Sequence, residues 1–269
     1  MKKVWLLSFV MFAVVGLQAQ NGDFSGMANA SVMRSGLWAV NNNQAGLADI
    51  EVVEGGICYQ NRFKLSETST KSVAAAFATK TGNFGLSFNR YGYSLYSENN
   101  YGLAYARHLG NVVAVGLQFD YYDINQSDEY GNKGVFLLEL GVITKVSDKL
   151  RLGAHLFNPT KSKMSEYNDE RVNTSIRIGA DYSFSQLVDL AIEVEKTMQT
   201  DLQVKLGIEY QLIKNLFMRT GFKTVPNEFC MGLGYTLRGF TFDMSFATHQ
   251  YLPLSTQMSL KYAFVKRTN

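Results

Sequence analysis

The sequence predicts an all-β protein, a transmembrane antiparallel β-barrel of about 14 strands with a short N-terminal plug segment. Three observations favour this fold class. Apolar and polar residues alternate in segment after segment, the links between segments are alternately short and long, and the chain starts like a secreted protein. Alternation with a period of two is typical of strands, because successive side chains point to opposite faces.

The start of the chain has the layout of a secretory signal peptide. Lys2 and Lys3 precede an apolar run over residues 4–16, and Ala19 supplies a small residue at a cleavage point. An uncleaved anchor is the alternative, although the run is short for a bilayer span. The predicted division of the chain is a signal peptide at 1–19, a plug segment at 20–50, a barrel at 51–265 and a tail at 266–269.

Composition narrows the classes of partner. The formal net charge is +3 and the basic residues are scattered, so no nucleic-acid partner is expected. Cys58 and Cys230 lie far apart without metal-type spacing, and we expect free thiols, no metal site and no cofactor. After the signal peptide, no apolar stretch approaches the length of a membrane helix.

The period-two pattern is clearest in DLQVKLGIEYQL (201–212), where every even position is apolar and every odd position is polar or glycine. A strand with this pattern has one apolar and one polar face. The same alternation marks residues 111–122, 171–184, 187–196, 240–246 and 257–264. A soluble two-sheet sandwich would also alternate. A soluble barrel is less favoured, because closing so many strands into one barrel leaves a lumen too wide for the wall side chains to fill.

The connections between strands favour the membrane barrel over the sandwich. Short links are predicted at 81–83, 109–111, 147–149, 185–186, 214–215 and 238–239, and longer ones at 64–70, 124–134 and 158–170. Short turns at one end and long loops at the other are typical of an outer-membrane barrel with both termini in the periplasm. Aromatic residues near strand ends suit the two interfacial girdles: Tyr59, Phe63, Tyr121, Tyr122, Tyr182, Phe184, Tyr210, Tyr235, Tyr251 and Tyr262.

The segment before the first strand fits no strand pattern. Residues 27–40 (MANASVMRSGLWAV) are predicted to form a helix or compact coil, and an amide cluster follows in NNNQAG. Amides can bond to the barrel wall without the desolvation of a charge. We therefore predict that this segment enters the lumen as a plug; the alternative is an asparagine-rich surface turn. The predicted plug residues are Asn41, Asn42, Asn43, Gln44 and Gly46.

The same segment carries a family resemblance. It contains A-x-A-S-V (28–32), W-A-V (38–40) and N-x-A-G-L-A (43–48). Together with the number of strands, this resembles the FadL-like outer-membrane proteins, whose motif here is N-P-A-G-L-A. Gln44 stands where that motif has proline. The chain looks closer still to the PorV/PorQ branch of Bacteroidota, which is tied to the type IX secretion system.

The resemblance implies functions of different classes. The first is an accessory of protein secretion that acts by binding secretion-system proteins. The alternatives are a FadL-like channel for the passive uptake of a hydrophobic ligand, and a structural barrel without a transport role. In each case the expected location is the cell outer membrane of a Gram-negative bacterium, in contact with its lipid.

The third strand breaks the alternation. In NFGLSFNRYGYSLY (83–96) the apolar phase slips by one residue around Asn89 and Arg90. Such a slip is typical of a β-bulge, so a bulge is predicted over Ser87 to Gly92. In FadL-like transporters the third strand is kinked and opens the wall sideways, which would make this bulge a lateral exit. An ordinary bulge at the rim is the alternative.

No catalytic arrangement is evident. His108, His155 and His249 do not stand in a nucleophile arrangement with serine and a carboxamide, so no enzyme is expected. The charged residues predicted to face the lumen favour a structural network over an acid/base pair: Asp181, Glu193, Lys205, Glu209, Arg219 and Lys261.

Overall fold

The computed structural model describes residues 22–126, 132–165 and 170–264. The predicted signal peptide at 1–19 and the predicted tail at 266–269 lie outside these residues.

In the described part of the chain, fourteen strands close into one antiparallel barrel. Barrel strands pair with their neighbours in sequence, β7 pairs with β10, and β1 closes the ring with β16. The strands are β1 (Glu54–Asn61), β2 (Ser69–Ala78), β3 (Asn83–Gly92), β4 (Tyr96–Leu109), β5 (Val113–Gln126), β6 (Asn132–Lys145), β7 (Leu150–Phe157), β8 (Lys163–Ser165), β9 (Glu170–Arg171), β10 (Ser175–Ser183), β11 (Val188–Thr197), β12 (Gln203–Ile213), β13 (Leu216–Thr224), β14 (Asn227–Leu237), β15 (Phe240–Ala247) and β16 (Ser255–Ala263). Strands β8 and β9 form a separate two-stranded antiparallel sheet.

The outer face of the barrel is apolar and the inner face is polar or small. Ile57, Leu103 and Leu233 point outward and are each more than half exposed, whereas Ala104 and Gln118 point inward and are buried. An apolar belt around a closed ring of strands faces lipid, because no backbone edge is left open. The fold is therefore a transmembrane barrel, and the sandwich alternative is wrong.

The two rims of the barrel differ. The terminal rim is defined by Glu54, where β1 begins, and Ala263, where β16 ends; it carries short turns such as residues 214–215 and 238–239. The loop rim is the opposite end and carries the longer connections, including residues 158–174. The predicted short turns of the terminal rim are present. The loop rim is mixed, because β13 and β14 are joined by residues 225–226 alone, and strand residues up to Gln126 and from Asn132 occupy part of the predicted link 124–134.

Helical structure is confined to short 3₁₀ segments in the described residues: Ser25–Met27, Leu37–Asn41, Gln44–Asp49 and Ser66–Thr68. The segment 27–40 is accordingly a compact coil. Across the described ranges, we find no helix with the length and hydrophobicity needed to span a bilayer.

The third strand is regular, and the predicted bulge over Ser87 to Gly92 is wrong. From Asn83 to Gly92, β3 pairs one-to-one with β2 and β4 without a register shift. Backbone alternation continues, so Asn89 points inward and is buried while Arg90 points outward and is exposed. The slip in the sequence arises because Arg90 lies beyond the apolar belt, where lipid no longer selects an apolar residue.

Gly92 ends the strand and does not form a β-bulge. Its φ is +98°, in the region that favours glycine, and the next residue, Tyr93, donates its backbone N–H to the Tyr96 carbonyl at 2.7 Å. The loss of the pattern near Gly92 therefore marks the β3–β4 turn.

Candidate functional site

The barrel lumen is occupied by residues 22–50, which we call the luminal segment. Leu37, Val40 and Leu47 are fully buried in a cluster with wall alanines such as Ala76 and Ala104. A second cluster includes Met27, Val32 and Met33 and packs near β11. The segment therefore has its own apolar core, which uses the barrel wall as a second layer.

Wall glycines let the backbone of the luminal segment approach the strands closely. A Cβ atom on Gly116 would lie 2.3 Å from the Ala45 backbone nitrogen, and one on Gly153 would lie 2.4 Å from the Val32 carbonyl oxygen. Any side chain at these positions would overlap the segment. This explains why small residues occupy so many lumen-facing positions of strands that otherwise alternate.

The amide cluster lies inside the lumen. Asn43 donates through Nδ2 to the Val32 carbonyl at 2.6 Å and to the Ala154 carbonyl of β7 at 3.2 Å. Gln44 donates through Nε2 to the Glu139 carboxylate at 2.5 Å. These amides bond to the wall without bringing an additional charge into the lumen.

The remaining predicted plug residues also contact their surroundings. Asn42 donates to the Trp38 carbonyl at 2.9 Å, and a Cβ on Gly46 would lie 2.4 Å from the Arg34 carbonyl oxygen. Asn41 and Asn89 exchange amide hydrogen bonds at 3.1 and 3.3 Å. Asn89, predicted as a bulge residue, therefore anchors the luminal segment to β3.

A buried carboxylate holds the first half of the luminal segment. Glu193 of β11 is fully buried and accepts backbone N–H bonds from Ser31 at 2.8 Å and Val32 at 2.9 Å. Arg177 Nε lies 2.8 Å away and Lys205 Nζ lies 3.0 Å away. The wall cations thus compensate the charge, and the carboxylate fixes the segment.

Two further ion-pair groups anchor the same segment. Arg34 pairs with Asp181 at 2.9 Å and Glu209 at 3.2 Å, and Asp23 pairs with Lys261 at 2.6 Å. The predicted lumen network is therefore confirmed. The sequence did not indicate that the segment would supply Arg34 and Asp23 as partners.

The histidines have structural contacts. His155 Nε2 lies 2.8 Å from Glu139, His108 lies 3.0 Å from Asp49, and His249 Nδ1 accepts the Tyr251 N–H. Both predicted free thiols, Cys58 and Cys230, are buried and not bonded to each other.

A cluster of buried apolar side chains lies inside the barrel near the loop rim. The mouth cluster consists of Tyr122, Leu137, Phe157 and Val172, with Ile124, Val135 and Met164 packed against it. Tyr122, predicted in the outer girdle, points inward instead and donates its hydroxyl to Glu98 at 2.6 Å. Apolar side chains packed together at this end of the lumen are a candidate site for a hydrophobic ligand, which would enter by parting them.

The opposite side of the loop-rim opening is polar. A cavity of about 80 Å³ lies against the luminal segment, between β13 and β1. Its lining includes Asn29, Gln60, Lys223, Glu228 and Gln257. Apolar and polar surfaces are therefore separated across this opening.

The hydrogen-bond ladder of the barrel wall is incomplete beside the mouth cluster. Pairing of β6 with β7 ends where Glu139 faces Phe157, whereas pairing of β6 with β5 continues to Asn132. The last bond on the β7 side joins the Asn158 N–H to the Leu138 carbonyl at 2.9 Å. Residues 132–137 of β6, which we call the β6 edge, have no ladder partner on that side among the described strands.

The described parts of the connection 158–174, residues 158–165 and 170–174, pack beside the β6 edge. Asn158 is fully buried and donates through Nδ2 to the Val172 carbonyl at 2.8 Å, while Thr174 donates its hydroxyl to the Asn158 carbonyl at 2.7 Å. Strand β8 belongs to this connection and contacts β6. Side-chain packing, not a strand ladder, therefore closes the wall here.

The fold is shared with several solved structures, among them two transporters. The chain superposes on the toluene transporter TbuX of Ralstonia pickettii with a TM-score of 0.71 at 10% identity, covering 90% of this chain and 97% of that one. The P. putida toluene transporter TodX gives 0.70 at 9% identity, covering 90% and 98%. A Pseudomonas aeruginosa FadL homologue gives 0.65 at 10%, covering 91% and 98%. At such identities the likeness shows the fold alone.

No family model matches the sequence, and no curated protein matches it.

Proposed function

We propose that this protein is a passive channel for hydrophobic small molecules in the outer membrane of a Gram-negative cell, with its loop rim facing outward. The mouth cluster carries the proposal, because it places packed apolar side chains at the loop-rim end of the lumen, which a molecule from outside would reach first. Solved structures of the same fold are named as toluene transporters, which supports a channel.

The contacts of the luminal segment support a sideways route. The segment fills the lumen below the mouth cluster and is held by buried ion pairs and close backbone packing. A molecule on the mouth cluster then has the β6 edge beside it, where only packing closes the wall. We propose that molecules leave the barrel there and enter the lipid.

The other functions receive less support. An exit at the third strand would need a kink, and β3 is regularly paired. A secretion accessory acting through protein binding has no counterpart among the solved structures described above. A structural barrel without transport is less favoured, because solved structures of the same fold are named as toluene transporters.

Leu137→Asn tests the proposal, because it places an amide in the mouth cluster. An amide without a partner in apolar surroundings costs about 1–3 kcal/mol, so we expect the uptake of radiolabelled toluene to fall roughly tenfold or more. Uptake is measured in cells that lack other such channels, and folding is checked by heat modifiability on gels.

The matched control is Leu137→Met, which keeps the site apolar and should keep uptake at the level of the unmodified protein. Equal uptake by folded Leu137→Asn would remove the mouth cluster from the route. No uptake above channel-free cells by the unmodified protein would reject the channel itself.

A further inference from the structure

Two neighbouring rows of residues at outward-facing strand positions mark the edge of the apolar belt, and all of them but Asn99 are at least partly exposed. The first row is aromatic: Phe88, Tyr101, Tyr121 and Phe136 face one another across β3 to β6, with ring centroids 4.9, 6.4 and 5.1 Å apart. Phe136 is 74% exposed. Aromatic rings of this kind sit at the interface between hydrocarbon and headgroups.

The second row, two residues closer to the loop rim, is polar. Lys71, Arg90, Asn99 and Asp123 lie opposite one another across β2 to β5. Lys71 and Arg90 point outward, are exposed, and form a direct cross-strand pair. Because the aromatic row lies next to them, their charged groups are at the level of lipid headgroups.

Two like charges directly opposite on a sheet repel each other. Within the described ranges, neither Lys71 nor Arg90 has an ion-pair partner. The carboxylate in the same row, Asp123, is instead engaged by the amides of Asn99 at 2.9 Å and Asn125 at 2.5 Å. The sheet itself therefore leaves the repulsion of the cationic pair uncompensated.

We infer that Lys71 and Arg90 form a binding site for the phosphate groups of a membrane lipid headgroup. A phosphate placed between the two cations turns their repulsion into two charge-assisted contacts, and arginine matches phosphate geometry through its planar fork. The belt beneath the pair holds the acyl chains of the same lipid. In the proposed orientation this lipid is a phosphorylated glycolipid of the outer leaflet.

This inference rests on the proposed membrane orientation and not on the transported molecule. The test uses the full-length mature protein in detergent, with lipid A added and binding measured by native mass spectrometry. Parallel samples receive the same glycolipid without its phosphates, or inorganic phosphate as a competitor. The variant is Lys71→Gln with Arg90→Gln. The matched control is Lys80→Gln with Arg107→Gln, which removes two exposed cations near the terminal rim.

We expect the unmodified protein and the control to bind lipid A, and the Lys71/Arg90 variant to bind it roughly tenfold or more weakly. Removal of the lipid phosphates should give the same loss in the unmodified protein. Equal binding by the variant, or equal binding of the dephosphorylated lipid, would overturn the inference. Inorganic phosphate binding as tightly as lipid A would also overturn it, because the site would then be a simple anion site. Toluene uptake, measured separately, should be the same in the variant, so a failed lipid test leaves the channel proposal standing.

Discussion

Glu193→Gln is expected to loosen the luminal segment strongly. The substitution removes the charge that balances Arg177 and leaves Lys205 with one carboxylate fewer, while the Ser31 and Val32 N–H groups lose a charged acceptor. Breaking a buried ion pair costs about 3–5 kcal/mol, because the remaining charge is left desolvated. The free energy of unfolding, measured by urea titration in detergent, should fall by this order.

Glu228→Gln provides the control, because Glu228 pairs with Lys223 at 2.9 Å at a partly exposed position near the loop rim. Pairs of this kind contribute about 0–1 kcal/mol. Similar losses in the two variants would mean that Glu193 has no special role in holding the segment.

Gly153→Ala is the second change with a large expected effect. Its methyl group would lie 2.4 Å from the Val32 carbonyl oxygen and 2.9 Å from Met33 Cα, both backbone atoms that cannot rotate away. Overpacking of this kind costs about 1–3 kcal/mol, and we expect the segment to shift away from β7 to avoid it. Ion conductance through planar bilayers should then rise, because the shift opens a gap between the segment and the wall.

The matched control is Gly55→Ala on the outward face of β1. The nearest heavy atom to its Cβ would be the Ala74 carbonyl oxygen at 3.9 Å, an ordinary contact. Conductance of this variant should equal that of the unmodified protein. If the conductance of Gly153→Ala were also unchanged, the close approach of the segment to β7 would not be what closes the barrel.

The fold could be predicted from the sequence because the lipid and the lumen impose opposite requirements on alternate residues. In β12, Leu206 and Ile208 face outward while Lys205 and Gly207 face inward, as the pattern of residues 201–212 predicts. The turns were also predictable, because links such as 214–215 and 238–239 leave room for a tight reversal only.

The prediction for the third strand failed for a physical reason. An alternation of hydrophobicity reports strand geometry only where one face meets lipid. Arg90 and Tyr91 lie beyond that belt, so polarity and direction are no longer linked there, although the backbone continues to alternate.

The sequence of β6 contains a sign of the mouth cluster that the alternation pattern alone does not explain. Residues 135–138 of β6 (VFLL) are apolar on both faces, which is unusual for a strand with a wet lumen on one side. Phe136 faces lipid, and Leu137 belongs to the mouth cluster. The β6 edge could not be predicted, because the end of β7 at Phe157 depends on how the connection 158–174 packs.

The side chains that bind the luminal segment also could not be predicted from the sequence. The amides were predicted to bond inside the barrel, but the pairing of Asn41 with Asn89 and of Arg34 with Asp181 depends on how the segment sits against the wall. No local pattern links residues this far apart in the chain.

The most direct test of the sideways route is toluene uptake with the luminal segment stapled to the wall. A Cβ on Gly141 would lie 3.1 Å from Asn43 Cγ, so cysteines in place of Asn43 and Gly141 are within bridging range. The staple is made in a background with Cys58→Ala and Cys230→Ala, and uptake is compared between oxidised and reduced protein. We predict equal uptake in the two states, because the route passes from the mouth cluster to the β6 edge. A loss of uptake on oxidation that reduction restores would show that the molecule passes along the barrel axis and would contradict this account.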